Sequence, residues 1–420
     1  MLELAEPKRD LSRLLRCAVA GVEPDVPPRD WAKVLELANL RQVDHFLFLA
    51  VVEWPADPRP DAALMARWRS DFFGAVAKYA AASAQAAELL RALTDAGIRV
   101  LPLKGIWLAE KIYPDGAGRP MCDFDLLVPS EKLEEARRVF ERVGYAESTQ
   151  AIRFEDMEHG KEIHYRHPDH PMMVELHWRL WNERLVNIFD AENTNWVWDG
   201  LDDDELHGAP VSVFSPNRML IYLAQHIQNH ALTMPLRAYL DLVLLAQSAG
   251  DRFDLAELER EAKLWRTPFA ARFILAVAFD LFDFPPPAAL REFVAPANER
   301  RDQIDLAKDA VLGLTAENSA MLPLIEDYRK ASLFRYARVG LGKLFQSPDT
   351  LRAVYPAAVK KFGLLGGYCA RWNFLFGRWV RLWKSKGDSD PKARSDVENY
   401  QARRDLSAWL HERDMSEWKA

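Results

Sequence analysis

Four short segments with strand-like residue patterns interrupt a sequence that is otherwise helical, and they constrain the fold more than any other feature. Helices are predicted after the first and the second segment, which gives the order β-α-β-α-β-β. This order indicates a small mixed sheet with helices packed against it, and we therefore predict an α+β fold. The four segments span residues 98–103, 121–129, 161–168 and 172–180.

Helical patterns dominate the regions on both sides of these segments. The chain has 420 residues, and single hydrophobic cores stop growing at about 250–300 residues, so several structural units are expected. We predict an N-terminal helical region over residues 1–95, a sheet-containing core over 96–200, a C-terminal helical region over 201–386 and a polar tail over 387–420. The tail is predicted to be mobile, with docking of its segment SAWLHERDMSEW as the alternative.

Composition and the N-terminus exclude several classes of protein. Apolar residues make up 49% of the chain and aromatic residues 11%, which excludes a disordered protein. No stretch approaches the roughly 18 uncharged apolar residues of a membrane-spanning helix. The N-terminus is charged from its third residue and does not resemble a signal peptide, so the predicted location is the cytoplasm. Cys17, Cys122 and Cys369 have no paired spacing, which excludes a disulfide framework and a cysteine zinc site.

Two acids in the second strand segment are the strongest functional signal. Asp123 and Asp125 are separated by one residue, so a strand places both carboxylates on the same face of the sheet. Two carboxylates at such close range repel each other unless a cation lies between them. Mg²⁺ fits, because it binds through one or two carboxylates together with substrate phosphates. Glu175, on a later strand segment, is the best candidate for a third acid; a solvated acid pair at a sheet edge is the alternative.

A turn at Lys104-Gly105 lies between the first strand segment and the helix that follows it. Backbone amides at a helix N-terminus favour an anion, and glycine lets a phosphate approach the backbone closely. Lys104 adds a positive charge, and Arg119 has the geometry to donate two hydrogen bonds to phosphate oxygens. We predict phosphate contacts for all three residues, with plain surface charges as the alternative for Lys104 and Arg119.

Histidines accompany the predicted site. His226 and His230 are four residues apart and share a helical face, which is the spacing of a zinc pair. No glutamate occupies the position expected of an HExxH motif and no third ligand is evident, so histidines that contact substrate or lie in the core are favoured. His164 and His177 lie on the two later strand segments, where they either face the cleft or bond to the backbone.

These residues resemble a known family. A strand, a glycine turn, a helix, Asp-x-Asp on the next strand and a later acidic strand resemble the DNA-polymerase-β-like nucleotidyltransferase superfamily. More closely, L-K-G, a Tyr-Pro before a loop and R-P-M-x-D-x-D-L-L-V-P resemble the uncharacterised nucleotidyltransferase family of bacteria. The later segments VELHW, HIQNH and LRAYLDL are similar to further blocks of that family. Lys104 is a departure, since the turn of the superfamily usually has Gly or Ser there.

The resemblance implies a nucleotidyltransferase core in which Asp123, Asp125 and Glu175 hold Mg²⁺ or Mn²⁺ and Gly105 lies under the triphosphate. An acceptor would attack the α-phosphate of an NTP, with ATP favoured, and pyrophosphate would leave. The predicted acceptor is a small molecule, a sugar or a peptide, and transfer RNA is less favoured. Alternatives are a γ-phosphoryl transferase that uses the same acids and a catalytically silent nucleotide-binding scaffold. The predicted nucleotide contacts are Lys104, Gly105, Arg119, His177, His226 and His230.

A basic stretch over residues 328–386 contains thirteen Lys and Arg residues and a single acid, Asp349. Its aromatic and aliphatic residues follow a helical stripe, which favours a helix docked on the core with a solvated basic face. Contact with an anionic membrane surface, with an acidic partner or with a nucleic acid such as transfer RNA is the alternative. The stripe consists of Trp372, Leu375, Phe376, Trp379 and Trp383.

Overall fold

The structure is a computed structural model of the chain. It describes residues 6–55, 58–148, 162–180, 195–313, 356–385 and 391–418. Helices dominate, and short strands occur in the middle of the sequence, which confirms the predicted α+β fold with helical regions on either side. No helix within these ranges combines the length and the apolar content that crossing a membrane requires.

The N-terminal region is helical in its described part. Asp30 and Asp61 precede two of its helices, and each aspartate side chain accepts a hydrogen bond from a backbone N–H of the first turn, which stabilises the helix start. Gly97 follows the longest helix with a φ of 68°, a conformation that glycine adopts without strain and that ends helices. The helices are α1 (Glu6–Ala20), α2 (Trp31–Leu40), α3 (Asp44–Val51) and α4 (Ala62–Asp95).

Five strands form a mixed sheet in the described part of the core. Its elements in chain order are β1 (Leu101–Pro102), α5 (Ile106–Lys111), β2 (Asp123–Leu127), α6 (Leu133–Arg142), β3 (Ala146–Glu147), β4 (Glu162–Arg166) and β5 (Met173–His177). The strand order is β1-β2-β5-β4-β3, and β2 and β5 are parallel while the other neighbours are antiparallel. Four of these strands fall within the predicted segments. The two-residue strand β3 was not predicted.

A hairpin follows the sheet, formed by β6 (Asp202–Leu206) and β7 (Ala209–Val213). Both turn residues, His207 and Gly208, have positive φ angles of 49° and 79°, as a type I′ hairpin turn requires. The helical region that the sequence predicts from residue 201 therefore begins only after the hairpin. The run of acids in β6 concealed the strand, because aspartate is rare in strands.

The C-terminal region packs around one deeply buried helix, α10. This helix is apolar on nearly all sides, as expected of a helix with no exposed face. Among the described helices it packs against six others of this region and against α1, and its buried residues join a core that runs continuously from Leu11 to Leu410. The helices are α7 (Pro216–Asn229), α8 (Leu236–Ala249), α9 (Leu255–Leu264), α10 (Pro268–Phe282), α11 (Ala288–Asn298), α12 (Arg301–Gly313), α13 (Pro356–Ser385) and α14 (Pro391–Trp418).

Helix α14 occupies the segment for which the sequence predicts a mobile polar tail. Leu406 and Leu410 are buried, and the ring of Trp409 lies 5.3 Å from that of Phe269 and 5.4 Å from that of Phe273 on α10. The segment SAWLHERDMSEW therefore contacts the core. Its apolar residues are few, but they recur at helical spacing, which is sufficient to bury one side of a helix.

Asp414 of α14 binds the N-terminal end of α10. Its carboxylate accepts hydrogen bonds from the backbone N–H groups of Phe269 and Ala270 at 2.8 and 2.9 Å, and from Gln228 at 2.8 Å. Burial raises the pKa of Asp414 to about 6, although these hydrogen bonds act in the opposite direction. The folded protein thus holds the proton of this carboxyl group more tightly than the unfolded chain does.

Asp414→Asn should change how stability depends on pH. Ionisation of Asp414 lowers the stability of the wild type as pH rises from about 4 to about 6, and asparagine removes this penalty of about 2–3 kcal/mol. We expect the Tm of the variant minus the Tm of the wild type to be larger at about pH 8 than at about pH 4.5. The control Asp405→Asn, at an exposed position of the same helix, should show no such movement. A difference in Tm that is equal at both pH values would contradict the prediction.

The basic stretch lies partly outside the described residues, which exclude 328–355. Helix α13 is interrupted at Phe362 and Gly363, where the backbone is not helical. Phe362 and Leu365 are 66% and 69% exposed, and Trp372 is 38% exposed. The side chains of the other four stripe residues lie outside the described part of the chain. The role of this stretch stays a prediction.

Candidate active site

Strands β2, β5 and β4 carry polar side chains on one face of the sheet and apolar side chains on the other. In the register of the strands, Asp125 lies beside Glu175, and Glu175 lies beside His164. Glu162 lies opposite His177 on the same face, because side chains alternate between faces with a period of two. The opposite face packs into the core through Phe124, Leu126, Ile163, Tyr165, Val174 and Leu176.

Asp125 is the most buried acid of this polar face, with only 2% of its surface exposed. Its Oδ1 atom lies 3.1 Å from Nζ of Lys104 and 3.4 Å from Nε2 of His177. Burial alone would raise the pKa of Asp125, but Lys104 and His177 outweigh it and hold the pKa well below its ordinary value. Asp125 is therefore a carboxylate at neutral pH.

Asp123 and Glu175 complete a group of three carboxyl groups with Asp125. Burial raises the pKa of Asp123, and the nearby charges of Asp125 and Glu175 raise it further. The predicted repulsion within the acid pair is thus present in the folded protein. A divalent cation between these groups would relieve it.

The donor set of this site fits a divalent cation. Atoms of Asp125, Glu175 and His177 that can bind a metal lie within 4.8 Å of one another. The Oδ2 atom of Asp125 is buried and has no hydrogen-bond partner in the part of the chain that the structure describes. Leaving such an atom without a partner is costly, and coordination of a cation would satisfy it.

A cleft of about 830 Å³ opens onto the polar face of the sheet. Ligand pockets typically measure about 300–1,000 Å³, so the cleft has room for a nucleotide. The sheet forms the floor of the cleft, and helices from both flanking regions form its walls. The wall residues include Asn39, Gln42, Asp44 and His45 from the N-terminal region and Tyr222, His226, His230 and Arg237 from the C-terminal region.

A family model described as an uncharacterised nucleotidyltransferase matches residues 27–283, which is more than half of the chain. The chain belongs to this family. The match confirms the predicted resemblance to an uncharacterised nucleotidyltransferase family, and it extends over the N-terminal wall of the cleft, the sheet and the first helices of the C-terminal region. No curated protein and no solved structure matches the chain.

The turn that precedes α5 lies at the floor of the cleft in this nucleotidyltransferase-family protein. Gly105 has a φ of 55°, and both Gly105 and Lys104 line the cleft. Nζ of Lys104 lies between Asp125 and Nε2 of His226, 3.4 Å from the latter. Helix α5, which follows this turn, is six residues long. Lys104 is one of the two phosphate contacts predicted in this turn, and its ammonium group already forms an ion pair with Asp125.

His226 and His230 lie close together at the rim of the cleft. Their ring centroids are 4.6 Å apart, and both residues line the cleft. Among the described residues, neither of them belongs to a group of three potential ligands with metal-binding spacing. The zinc-pair alternative therefore has no third ligand in this part of the chain. Their position favours contact with a bound molecule.

Arg119 has a different neighbour from the phosphate that the sequence predicts. Its guanidinium donates two hydrogen bonds to Asp241 of α8, at 2.9 and 2.8 Å, and both side chains are buried. Tyr113 donates a third hydrogen bond to Asp241, at 2.7 Å. Burial alone would raise the pKa of Asp241, but Arg119 and then Arg237 reverse this effect and lower it. The pair ties the loop before Asp123 to α8.

Arg237 is a cation of the cleft wall that is not among the predicted nucleotide contacts. Its contact with Asp241 is long, at 3.8 Å, whereas Nε donates to Oε1 of Gln42 at 3.0 Å. Burial lowers the pKa of Arg237, and the charge of Arg119 lowers it further. The segment LRAYLDL, noted for its resemblance to the family, is the signal that pointed to this residue.

Glu162 and the N-terminal wall are absent from the predicted site. Glu162 had a signal in the sequence, because Glu162-x-His164 repeats the pattern Glu175-x-His177 of the neighbouring strand. Gln42, with its φ of 59°, follows α2 and lies 81 residues before Asp123 in the sequence. No local pattern connects it to the sheet, so only the tertiary structure reveals its place.

Proposed function

We propose that the protein transfers a nucleoside monophosphate from an NTP to an acceptor in a reaction that requires a divalent cation. The observation that carries this proposal is the position of Asp123, Asp125 and Glu175 on one sheet face at the floor of a cleft with room for a nucleotide. Family membership supplies the reaction class. Mg²⁺ is the favoured cation, with Mn²⁺ as the alternative, and the resemblance favours ATP.

The proposed roles follow from the contacts of each residue. Asp123, Asp125 and Glu175 would hold the cation, and Lys104 keeps Asp125 ionised. A bound divalent cation would neutralise charge on the attacking and leaving oxygens of the transfer. The residues assigned to the nucleotide are Lys104, Gly105, His177, His226, His230 and Arg237, and Arg119 is assigned to positioning of the loop through Asp241.

The proposed acceptor is a small molecule, a sugar or a peptide that offers a hydroxyl group or another nucleophile. Transfer RNA is less favoured. The side chains that line the cleft include cationic Arg237 and the histidines His226 and His230, which suit the phosphates of the NTP.

Calorimetric titration of each NTP, with and without Mg²⁺, tests the nucleotide site. We expect at least one NTP to bind to the wild type only when Mg²⁺ is present, because the three acids repel the triphosphate in its absence. Asp123→Asn/Asp125→Asn should lose this binding. The matched control Asp202→Asn/Asp203→Asn, which changes two exposed acids of β6, should retain it. Equal binding by the two double variants, or no binding by the wild type, contradicts the proposal and favours a silent scaffold.

The position of a radioactive label in the products tests the reaction type. With an NTP labelled at the α-phosphate, nucleotidyl transfer puts the label on the acceptor, or on the monophosphate if water is the acceptor, and releases unlabelled pyrophosphate. Transfer of the γ-phosphoryl group would instead release a labelled nucleoside diphosphate. Labelled diphosphate as the main product would overturn the proposal.

A further inference from the structure

A second group of potential metal ligands lies beside the proposed nucleotide site, across β4 and β5. The antiparallel register places Glu162 opposite His177 and His164 opposite Glu175. Nε2 of His164 lies 3.4 Å from Oε1 of Glu162 and 3.6 Å from Oε1 of Glu175. Nδ1 of His177 lies 3.3 Å from Oε2 of Glu162, and Nε2 of His177 lies 3.6 Å from Oε2 of Glu175. The four contacts close a ring in which carboxylates and imidazoles alternate.

The two distances from Nε2 of His164 to its carboxylate neighbours are compatible with shared metal ligands. At 3.4 and 3.6 Å they exceed the roughly 2.7–3.2 Å of most hydrogen bonds between N–H and oxygen, and the shorter one is a long hydrogen bond to Glu162. Two ligand atoms on one tetrahedral zinc ion are about 3.3 Å apart, because each lies about 2.0–2.1 Å from the metal. The two His164 contacts are close to this spacing.

Three residues of this ring define the ligand set. One potential ligand atom from each of Glu162, His164 and Glu175 lies within 4.8 Å of the other two. The atoms in contact are Nε2 of His164, Oε1 of Glu162 and Oε1 of Glu175. We propose that these three atoms bind a divalent metal ion of borderline character, such as Zn²⁺, without help from a nucleotide. An imidazole with two carboxylates suits such an ion better than Mg²⁺, which prefers oxygen ligands only. The two carboxylates balance the charge of the ion.

His177 is a positioning residue for this site. It contacts the second oxygen of Glu162 and the second oxygen of Glu175, so it orients both carboxylates through the oxygens that do not contact His164. Such contacts around a metal site orient the ligands and raise affinity. Glu175 is shared with the proposed nucleotide site, because it also forms a group of potential metal ligands with Asp125 and His177, and its Oε2 atom lies 3.6 Å from Nε2 of His177. One carboxylate thus connects two neighbouring cation sites.

The ligand set is accessible to an ion from the cleft. Glu162 and Glu175 line the cleft, and the side chains of Glu162, His164 and Glu175 are 24%, 20% and 17% exposed. The inference does not rest on nucleotidyl transfer, because the metal is expected to bind in the absence of an NTP.

Titration of the full-length, tag-free protein with Co²⁺, followed by visible absorption, tests the site, and Zn²⁺ competition tests its preference. We expect the wild type to bind Co²⁺ without nucleotide, with the absorption bands of an ion that has a nitrogen ligand, and Zn²⁺ to displace it. His164→Gln should weaken Co²⁺ binding at least about tenfold. His170→Gln is the matched control, because His170 contacts Glu88 away from this face of the sheet.

Asp123→Asn separates this proposal from the nucleotide proposal. It should abolish Mg²⁺-dependent NTP binding and leave Co²⁺ affinity within about threefold of the wild type, because Asp123 is not a ligand of the second site. The inference is overturned if the wild type binds no Co²⁺ without nucleotide, or if His164→Gln binds it as tightly as His170→Gln does. Either result would identify the ring as a network of ion pairs, and it would leave the test of NTP binding unaffected.

Discussion

Asp125→Asn is expected to lower the rate of nucleotidyl transfer by about a thousandfold or more, which corresponds to about 4 kcal/mol in the activation barrier. The substitution keeps the shape of the side chain and removes its charge. It also leaves Nζ of Lys104, now 3.1 Å from Oδ1, beside a neutral amide, where the lysine would repel the cation. Both effects weaken the hold on the cation. The rate is measured as release of pyrophosphate from the NTP that binds in calorimetry, with water as acceptor until the natural acceptor is identified.

The control for this experiment is Glu131→Gln, which changes an exposed acid outside the cleft.

Ionised Asp125 stabilises the fold at neutral pH, because its pKa in the folded protein is held below the ordinary value. This contribution to stability is lost as pH falls through the lowered pKa. The Asp125→Asn variant should therefore also melt at a lower temperature at neutral pH. Rates are compared well below that temperature. A rate within about tenfold of the wild type would show that Asp125 does not hold the cation.

Asp241→Ala is expected to cost about 3–5 kcal/mol of stability, because it leaves a buried charge without its partner. Arg119 is only 3% exposed at its side chain, and its two hydrogen bonds to Asp241 are those of a bidentate pair. The hydroxyl group of Tyr113 loses its acceptor as well. The measurement is thermal and denaturant unfolding of the variant and the wild type at neutral pH.

The double variant Arg119→Met/Asp241→Leu separates the value of the pair from the penalty of breaking it. Removal of both charges leaves no buried guanidinium without a partner, so the double variant should be more stable than Asp241→Ala. A loss below about 1 kcal/mol in Asp241→Ala would mean that water or another acid reaches Arg119. Because the pair ties the loop before Asp123 to α8, the same variants also test whether the pair stabilises this loop.

Local patterns determined the elements that carry the acids. The alternation of residues in a strand places Asp123 and Asp125 on one face, and this property depends on the backbone of a single strand. The order of strands and helices, the glycine turn at Gly105 and the start of α7 at Pro216 follow from equally local preferences. The family resemblance was also carried by contiguous motifs, and the family match confirms it.

Pairings between distant segments required the tertiary structure. The parallel register of β2 and β5 places Glu175 beside Asp125, and no pattern within either strand specifies its neighbour. The sequence predicts a phosphate contact for Arg119. Its buried partner in the structure, Asp241, lies 122 residues away, so no local pattern indicates this pair.

The same reason explains the N-terminal wall of the cleft, the second ligand set on β4 and the docking of α14. Local sequence fixes backbone geometry over a few residues, since steric and hydrogen-bonding preferences act at that range. Which elements meet, and which charges become partners, depends on how the whole chain buries its apolar surface. The sequence alone therefore determined which residues can do chemistry, and only the tertiary structure decided which of them act together.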